Sequence, residues 1–254
     1  MAKLQQLFGL VLVGATAAQV SAFEFDRPGE GMGTATTPVG QLAWEQGLPS
    51  VNYQEDSING QKVKTTRLNA DVLLRTGLTD NLELQLGWDG PTWTQTKVQG
   101  QRVEDDGLGD VSIGLKHAVD LGRDKLSMAV LAEAVLATGQ SGFSQEEDSY
   151  AVASAVSYEF DDNVSTNITM RYEWQDGDWT LVAIPGLGYR FNDRWSGFSE
   201  FAYSKTEGQD YESLLNTGVI YAVSERVQLD ASLGVHADRG AKQYTSGLGV
   251  SVLF

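Results

Sequence analysis

Two histidines, a scatter of serines and several groups of carboxylates are the residues in this chain whose types could do chemistry. Hydrolysis by a serine needs a base within hydrogen-bond reach and a third group that orients the base. His236 is the better base, and Ser232 shares its face in an extended segment. Four residues of extended chain put them roughly 13 Å apart, too far for a dyad. His117 falls among Val111, Ile113, Leu115 and Val119 on an apolar face, a poor setting for a base. No catalytic residue is expected from this set.

The acidic groups are Glu55-Asp56, Glu104-Asp105-Asp106, Glu146-Glu147-Asp148, Asp176 with Asp178, and Glu207 with Asp210. Carboxylate oxygens suit a hard divalent cation. None of these groups has the spacing of a calcium loop, and solvated loop charge is the plainer reading. Neither a metal site nor a cofactor is expected. An acidic outer rim would repel anionic lipopolysaccharide unless divalent ions intervened, and would favour the approach of cations or neutral solutes.

A third set of charges lies inside segments that alternate apolar with polar. Arg67, Asp71, Arg75, Glu83, Asp89, Asp110, Lys116, Glu133, Glu159, Arg171, Glu173, Arg190, Glu200 and Asp230 all fall on the polar phase, with His236. Nine are acidic and five basic. Charged rings of this kind set ion preference in pores. The plainer alternative is that they pair across a narrow interior filled by side chains.

The elements that position them read as strands. In YTSGLGVSVLF, Tyr244, Leu248, Val250, Val252 and Phe254 share one face, and Thr245, Gly247, Gly249 and Ser251 the other. Period-two alternation places such sets on opposite sides of a sheet. The same contrast separates Leu82, Leu84, Leu86 and Trp88 from Glu83, Gln85, Gly87 and Asp89. It recurs over about twelve segments: 41–48, 67–78, 82–89, 109–119, 125–137, 149–160, 164–174, 179–191, 195–204, 215–223, 227–237 and 244–254. Lengths near ten residues suit tilted membrane strands.

Tight turns rich in Asn, Asp and Ser (Thr79-Asp80-Asn81, Asp161-Asp162-Asn163, Asn192-Asp193-Arg194, Ser224-Glu225-Arg226) alternate with mostly longer polar connections. The longer ones are expected at 52–62, 90–107, 138–148, 175–178, 205–212 and 238–242. Segregation of short turns from long loops marks an outer-membrane barrel, with an even strand count and both termini on the periplasmic side. Rings such as Trp88, Tyr158, Phe160, Trp174, Trp179, Phe191 and Trp195 gather at strand ends, as interfacial girdles do. Two strands fit less well. Segment 125–139 is apolar on both faces, and Pro185 forfeits a ladder hydrogen bond, so a bulge or kink is expected there.

The fold class is therefore all-β: one transmembrane antiparallel up-and-down barrel of about twelve strands over 39–254. Residues 1–22 have the positive start, apolar core and small-residue end of a removable export signal. Residues 23–38 carry Pro28 and Pro38, several glycines and no alternation, and either hang in the periplasm or fold inward as a plug. No later run approaches a membrane helix in length, which a closed sheet does not need. Without cysteines there is no disulfide framework, and a net charge of −16 excludes nucleic acid as a partner.

Arg27-Pro28, Gly33-Thr34, Thr37-Pro38, Gly40 and the Gly107-Leu108-Gly109-Asp110 strand opening resemble motifs of an outer-membrane transporter family labelled for the meta-pathway of phenol degradation. The resemblance extends more loosely over the whole chain beyond the export signal. It implies a bacterial outer-membrane transporter or channel for small solutes. The alternatives are a structural or surface-binding barrel with an occluded lumen and, third, a barrel enzyme. Expected partners are outer-membrane lipids and lipopolysaccharide, a small solute, and the barrel-assembly machinery through the strand ending at Phe254.

Overall fold

The computed structural model describes residues 23–58, 60–237 and 242–254. The expected export signal, 1–22, lies outside the described residues, as does most of the connection expected at 238–242. Strands run as β1 (Leu42–Ile58), β2 (Gln61–Asn69), β3 (Val72–Thr79), β4 (Leu82–Trp88), β5 (Pro91–Val98), β6 (Gln101–Leu108), β7 (Val111–Val119) and β8 (Leu126–Leu136). They continue as β9 (Ser149–Glu159), β10 (Val164–Gln175), β11 (Asp178–Arg190), β12 (Trp195–Thr206), β13 (Tyr211–Ser224), β14 (Val227–His236) and β15 (Lys242–Leu253). All join one antiparallel sheet that closes where β15 pairs with β1.

The wall has twelve strand positions, because β2 runs on into β3, β4 into β5, and β6 into β7. The first half of β1 pairs with β3 and its second half with β2. Above that level β1, β2, β5 and β6 form a four-stranded extension of the wall. This corrects the loops expected at 52–62 and 90–107: Glu55-Asp56 and Glu104 to Asp106 lie in strands. Along β2 and β6 nearly all side chains of both phases are exposed or partly exposed, and the sequence there shows no apolar–polar contrast. What remained was β-branched content and the Gln99-Gly100 turn, both residues at positive φ (51° and 83°) as a tight hairpin requires. Asp176-Gly177 turns β10 into β11 in the same way. The connection expected at 205–212 is also shorter, since β12 runs to Thr206 and β13 starts at Tyr211.

No bulge occurs at Pro185. Ala183 faces Tyr203 and Gly186 faces Glu200, so register is unchanged across it and only the ladder pairs at Ile184 and Pro185 are missing. Register shifts fall elsewhere, between Gly77 and Thr79 of β3, between Ala222 and Ser224 of β13, and between Gly47 and Ser50 of β1, where Leu48 and Pro49 are exposed. Outward positions follow the expected phase: Leu86, Trp88, Ile113, Leu115, Leu233 and Leu248 are exposed on the outside, while Glu83, Gln85, Lys116 and Asp230 are buried on the inside. On β8 both faces are apolar, and Ala129 and Leu131 are the ones buried inward, while Met128, Val130 and Leu136 take the outward phase.

Candidate functional site in the lumen

Residues 23–38 lie inside the barrel. Phe25 packs on Ala43 and Leu253, and the Phe23 ring stacks edge-on against it at 4.9 Å. From there the segment crosses the lumen. The backbone N–H groups of Glu30 and Gly31 donate to the Glu200 carboxylate on β12 (2.7 and 3.3 Å), and that of Met32 to Thr169 Oγ1 on β10 (3.1 Å). Thr34 Oγ1 meets Ser127 Oγ on β8 at 2.7 Å. The chain then returns to β4, where Thr37 Oγ1 donates to Glu83 at 2.7 Å. A proline- and glycine-rich stretch with no strand pattern leaves backbone donors free. Glu45 on β1, Glu83 on β4, Thr169 on β10 and Glu200 on β12 accept backbone N–H groups of the segment, which satisfies groups that burial would otherwise penalise.

Charge fixes the near end of this plug. Arg75 has no exposed surface and lies 2.9 Å from Glu45, 2.9 Å from Glu83 and 3.5 Å from Asp26. Lys116, equally buried, holds Asp26 at 3.1 Å. Glu45 also accepts the backbone N–H groups of Asp26 and Arg27 (3.2 and 2.7 Å). Buried ions are tolerated only when paired and hydrogen-bonded, and this cluster meets both conditions. Arg27 reaches the opposite side of the closure, 2.9 Å from Asp71 and 3.6 Å from Asp230, over Gly249. A side chain at Gly249 would strike Arg27 Nε and both Asp230 oxygens within 2.6 Å, so glycine there is what admits the guanidinium.

Beyond the plug, Arg171 bridges Glu133 (2.7 Å) and Glu173 (3.0 Å). Asp110 is buried and accepts from Gly139 N–H, Gln145 N–H and Ser144 Oγ–H, at 2.8, 2.7 and 2.8 Å. It thereby ties residues 137–148 to the wall, and Phe143 of that connection inserts against Gly107 and under Arg67. His236 is inward and half-buried, with no hydrogen bond or ion pair among the described residues. Glu159 and Arg190 keep the inward phase but sit exposed at the short-turn rim, away from the plug.

The structure thus brings Arg75, Glu83 and Lys116 into one cluster, and Asp71 and Asp230 into a second around Arg27. Glu200 receives the plug's far side. Sequence reasoning missed Glu45, Asp26 and Arg27 as site residues. Glu45 was recoverable from phase, because outward Trp44 puts its neighbour inward.

The model of a family described as "Putative MetA-pathway of phenol degradation" matches residues 25–254. No curated protein matches the chain. Among solved structures it is similar to the COG4313 outer membrane channel from Pseudomonas putida F1. That likeness has a TM-score of 0.67 at 15% identity and covers 91% of this chain and 100% of that one. It is similar to the translocator domain of the autotransporter NalP from Neisseria meningitidis, with a TM-score of 0.56 at 12% identity, over 85% and 89% of the two chains. The CymD monoaromatic hydrocarbon channel gives a TM-score of 0.52 at 12% identity, over 86% and 89%. At these identities what is shared is the barrel fold.

Proposed function

The chain belongs to this phenol-degradation meta-pathway family, and on that premise we propose that it is a bacterial outer-membrane channel that passes small solutes without chemistry. The observation that carries the reading is the plug. A segment pinned to the inner wall by ion pairs from Asp26 to buried Arg75 and Lys116 narrows the short-turn half of a closed sheet whose outside is apolar. A structural barrel could fill its lumen with side chains from the wall alone. Here a separate, strandless segment does so, held by polar contacts that can be broken without opening the wall.

The inner wall suits solutes of mixed character. Ala129, Leu131, Ala151, Ala153 and Ala155 make an apolar flank on the adjacent strands β8 and β9, while the carboxylates of Glu200 and Asp230 stand on β12 and β14. Small solutes with an apolar face fit such a path, in line with the monoaromatic hydrocarbon named for one structural neighbour.

Planar-bilayer recording of the purified protein tests this. The native barrel should give a small conductance, and deletion of residues 23–36 a severalfold larger one, with both proteins fractionating with the outer membrane. Silence of the deleted form would overturn the channel and favour the occluded, surface-binding barrel.

A further inference from the structure

The outer face of the four-stranded extension, together with the adjoining start of β15, carries a cross-strand row of charge that the lumen does not use. Register places Lys242, Glu55, Lys64, Lys97 and Arg102 side by side on β15, β1, β2, β5 and β6. Their phase is outward, shared with the stacked pair Tyr53 and Tyr244 two residues nearer the barrel body. Two residues of strand put the row about 7 Å beyond those rings. Rings of this kind sit at the headgroup level of a bilayer.

Like charges directly opposite on neighbouring strands are destabilising, yet Lys64 faces Lys97, and Lys97 faces Arg102. Local carboxylates relieve only part of this. Glu55 holds Lys64 at 3.3 Å, shared with Lys62 at 3.1 Å, and Arg102 pairs with Glu104. Lys97 and Lys242 are exposed and have no carboxylate partner among the described residues. The chain as a whole has 34 acidic and 18 basic residues, so a row with four cations and one acid runs against its composition. It also breaks the acidic rim expected from the sequence.

We propose that this row is a binding site for the phosphorylated head group of an outer-leaflet glycolipid, held by direct ammonium and guanidinium contacts. Strand spacing sets Lys64, Lys97 and Arg102 across about 10 Å, a width that engages a head group bearing more than one phosphate. The face lies outside the wall, so a solute in the lumen never meets it, whereas a lipid beside the barrel does. Arginine adds a planar fork suited to phosphate oxygens. This rests on the outer-membrane reading above. Conductance and fractionation test that reading separately, so a conducting barrel indifferent to the lipid sinks this inference alone.

The test is titration of the detergent-purified full chain with diphosphorylated lipid A, its dephosphorylated form, and inorganic phosphate, all in the presence of a divalent chelator. Diphosphorylated lipid A should bind best, and salt should weaken it. Replacing Lys64, Lys97 and Arg102 together with Gln should weaken binding on the order of a hundredfold, about fivefold per cation near the surface, without changing conductance. Equal affinity of the triple variant, a requirement for divalent ions, or equal binding of the dephosphorylated lipid or of free phosphate would overturn the site. If the triple variant fails to fold, Glu55→Gln with Glu104→Gln decides. Freeing Lys64 and Arg102 should tighten lipid binding severalfold, and unchanged or weaker binding would overturn the proposal.

Discussion

Arg75 shows how much a single inward residue carries. Its guanidinium meets Glu45, Glu83 and Asp26, donates to the Glu24 and Ala35 carbonyls, and lies 5.2 Å from the centre of the Phe23 ring. Removing one partner of a buried ion pair strands the other charge and costs about 3–5 kcal/mol. Arg75→Met should therefore loosen the plug more than the wall. Limited proteolysis should release fragments from 23–38, and conductance should rise, while the unheated barrel keeps its gel mobility. A wild-type digestion pattern would count against the ion cluster as the anchor. Asp110 is the counterpart at the other end. Hydrogen bonds to a charged group are worth about 1.5–3 kcal/mol each, so Asp110→Ala should expose 138–148 to protease without affecting the plug. Both residues were legible as inward from phase, and so was Glu83, but Asp26 and Gln145 were not, because they lie in stretches without alternation.

At the scale of the element, alternation gave strand phase correctly wherever one face meets lipid. Leu84 is outward, and an arginine there should cost about 2–4 kcal/mol and damage assembly. Gln85, one residue on, has the inward, polar phase, but an arginine there is not neutral. Gln85 is buried and donates to Glu83 at 2.8 Å and Asp26 at 3.4 Å, so an arginine there competes with Arg75 and Lys116 for the plug's carboxylate. Gln85→Arg should assemble into a heat-modifiable barrel but conduct more than wild type. Leu84→Arg should yield little folded protein. Equal yields would mean that the face of β4 is wrong. The extension formed by β2, β5 and β6 was illegible for a physical reason: with side chains of both phases exposed or partly exposed along β2 and β6, nothing selects apolar residues for one face. There only the turn chemistry of Gln99-Gly100 and β-branched residues such as Val63, Thr65, Thr94 and Thr96 pointed to strand.

Over the whole molecule, the inward charges divide in role. Glu83 grips Arg75 and Thr37 and belongs to the anchor. Asp230 and Glu200 differ, because their contacts are largely to the plug itself, through Arg27 and the backbone of Glu30 and Gly31. Once residues 23–36 are deleted, both carboxylates face an open path, with Asp71 alongside Asp230. Such a barrel should prefer cations. The preference should be strongest near 0.01 M salt, where the Debye length is about 30 Å, and fade towards 0.1 M, where it is about 10 Å. Reversal potentials across a potassium chloride gradient measure it directly. Adding Asp230→Asn and Glu200→Gln to the deleted form should bring the potential towards zero without lowering conductance. An anion preference at low salt would overturn this reading, and a cation preference that survives both substitutions would place the selecting charge elsewhere, with Glu133 and Glu173 beside Arg171 the next groups along the path.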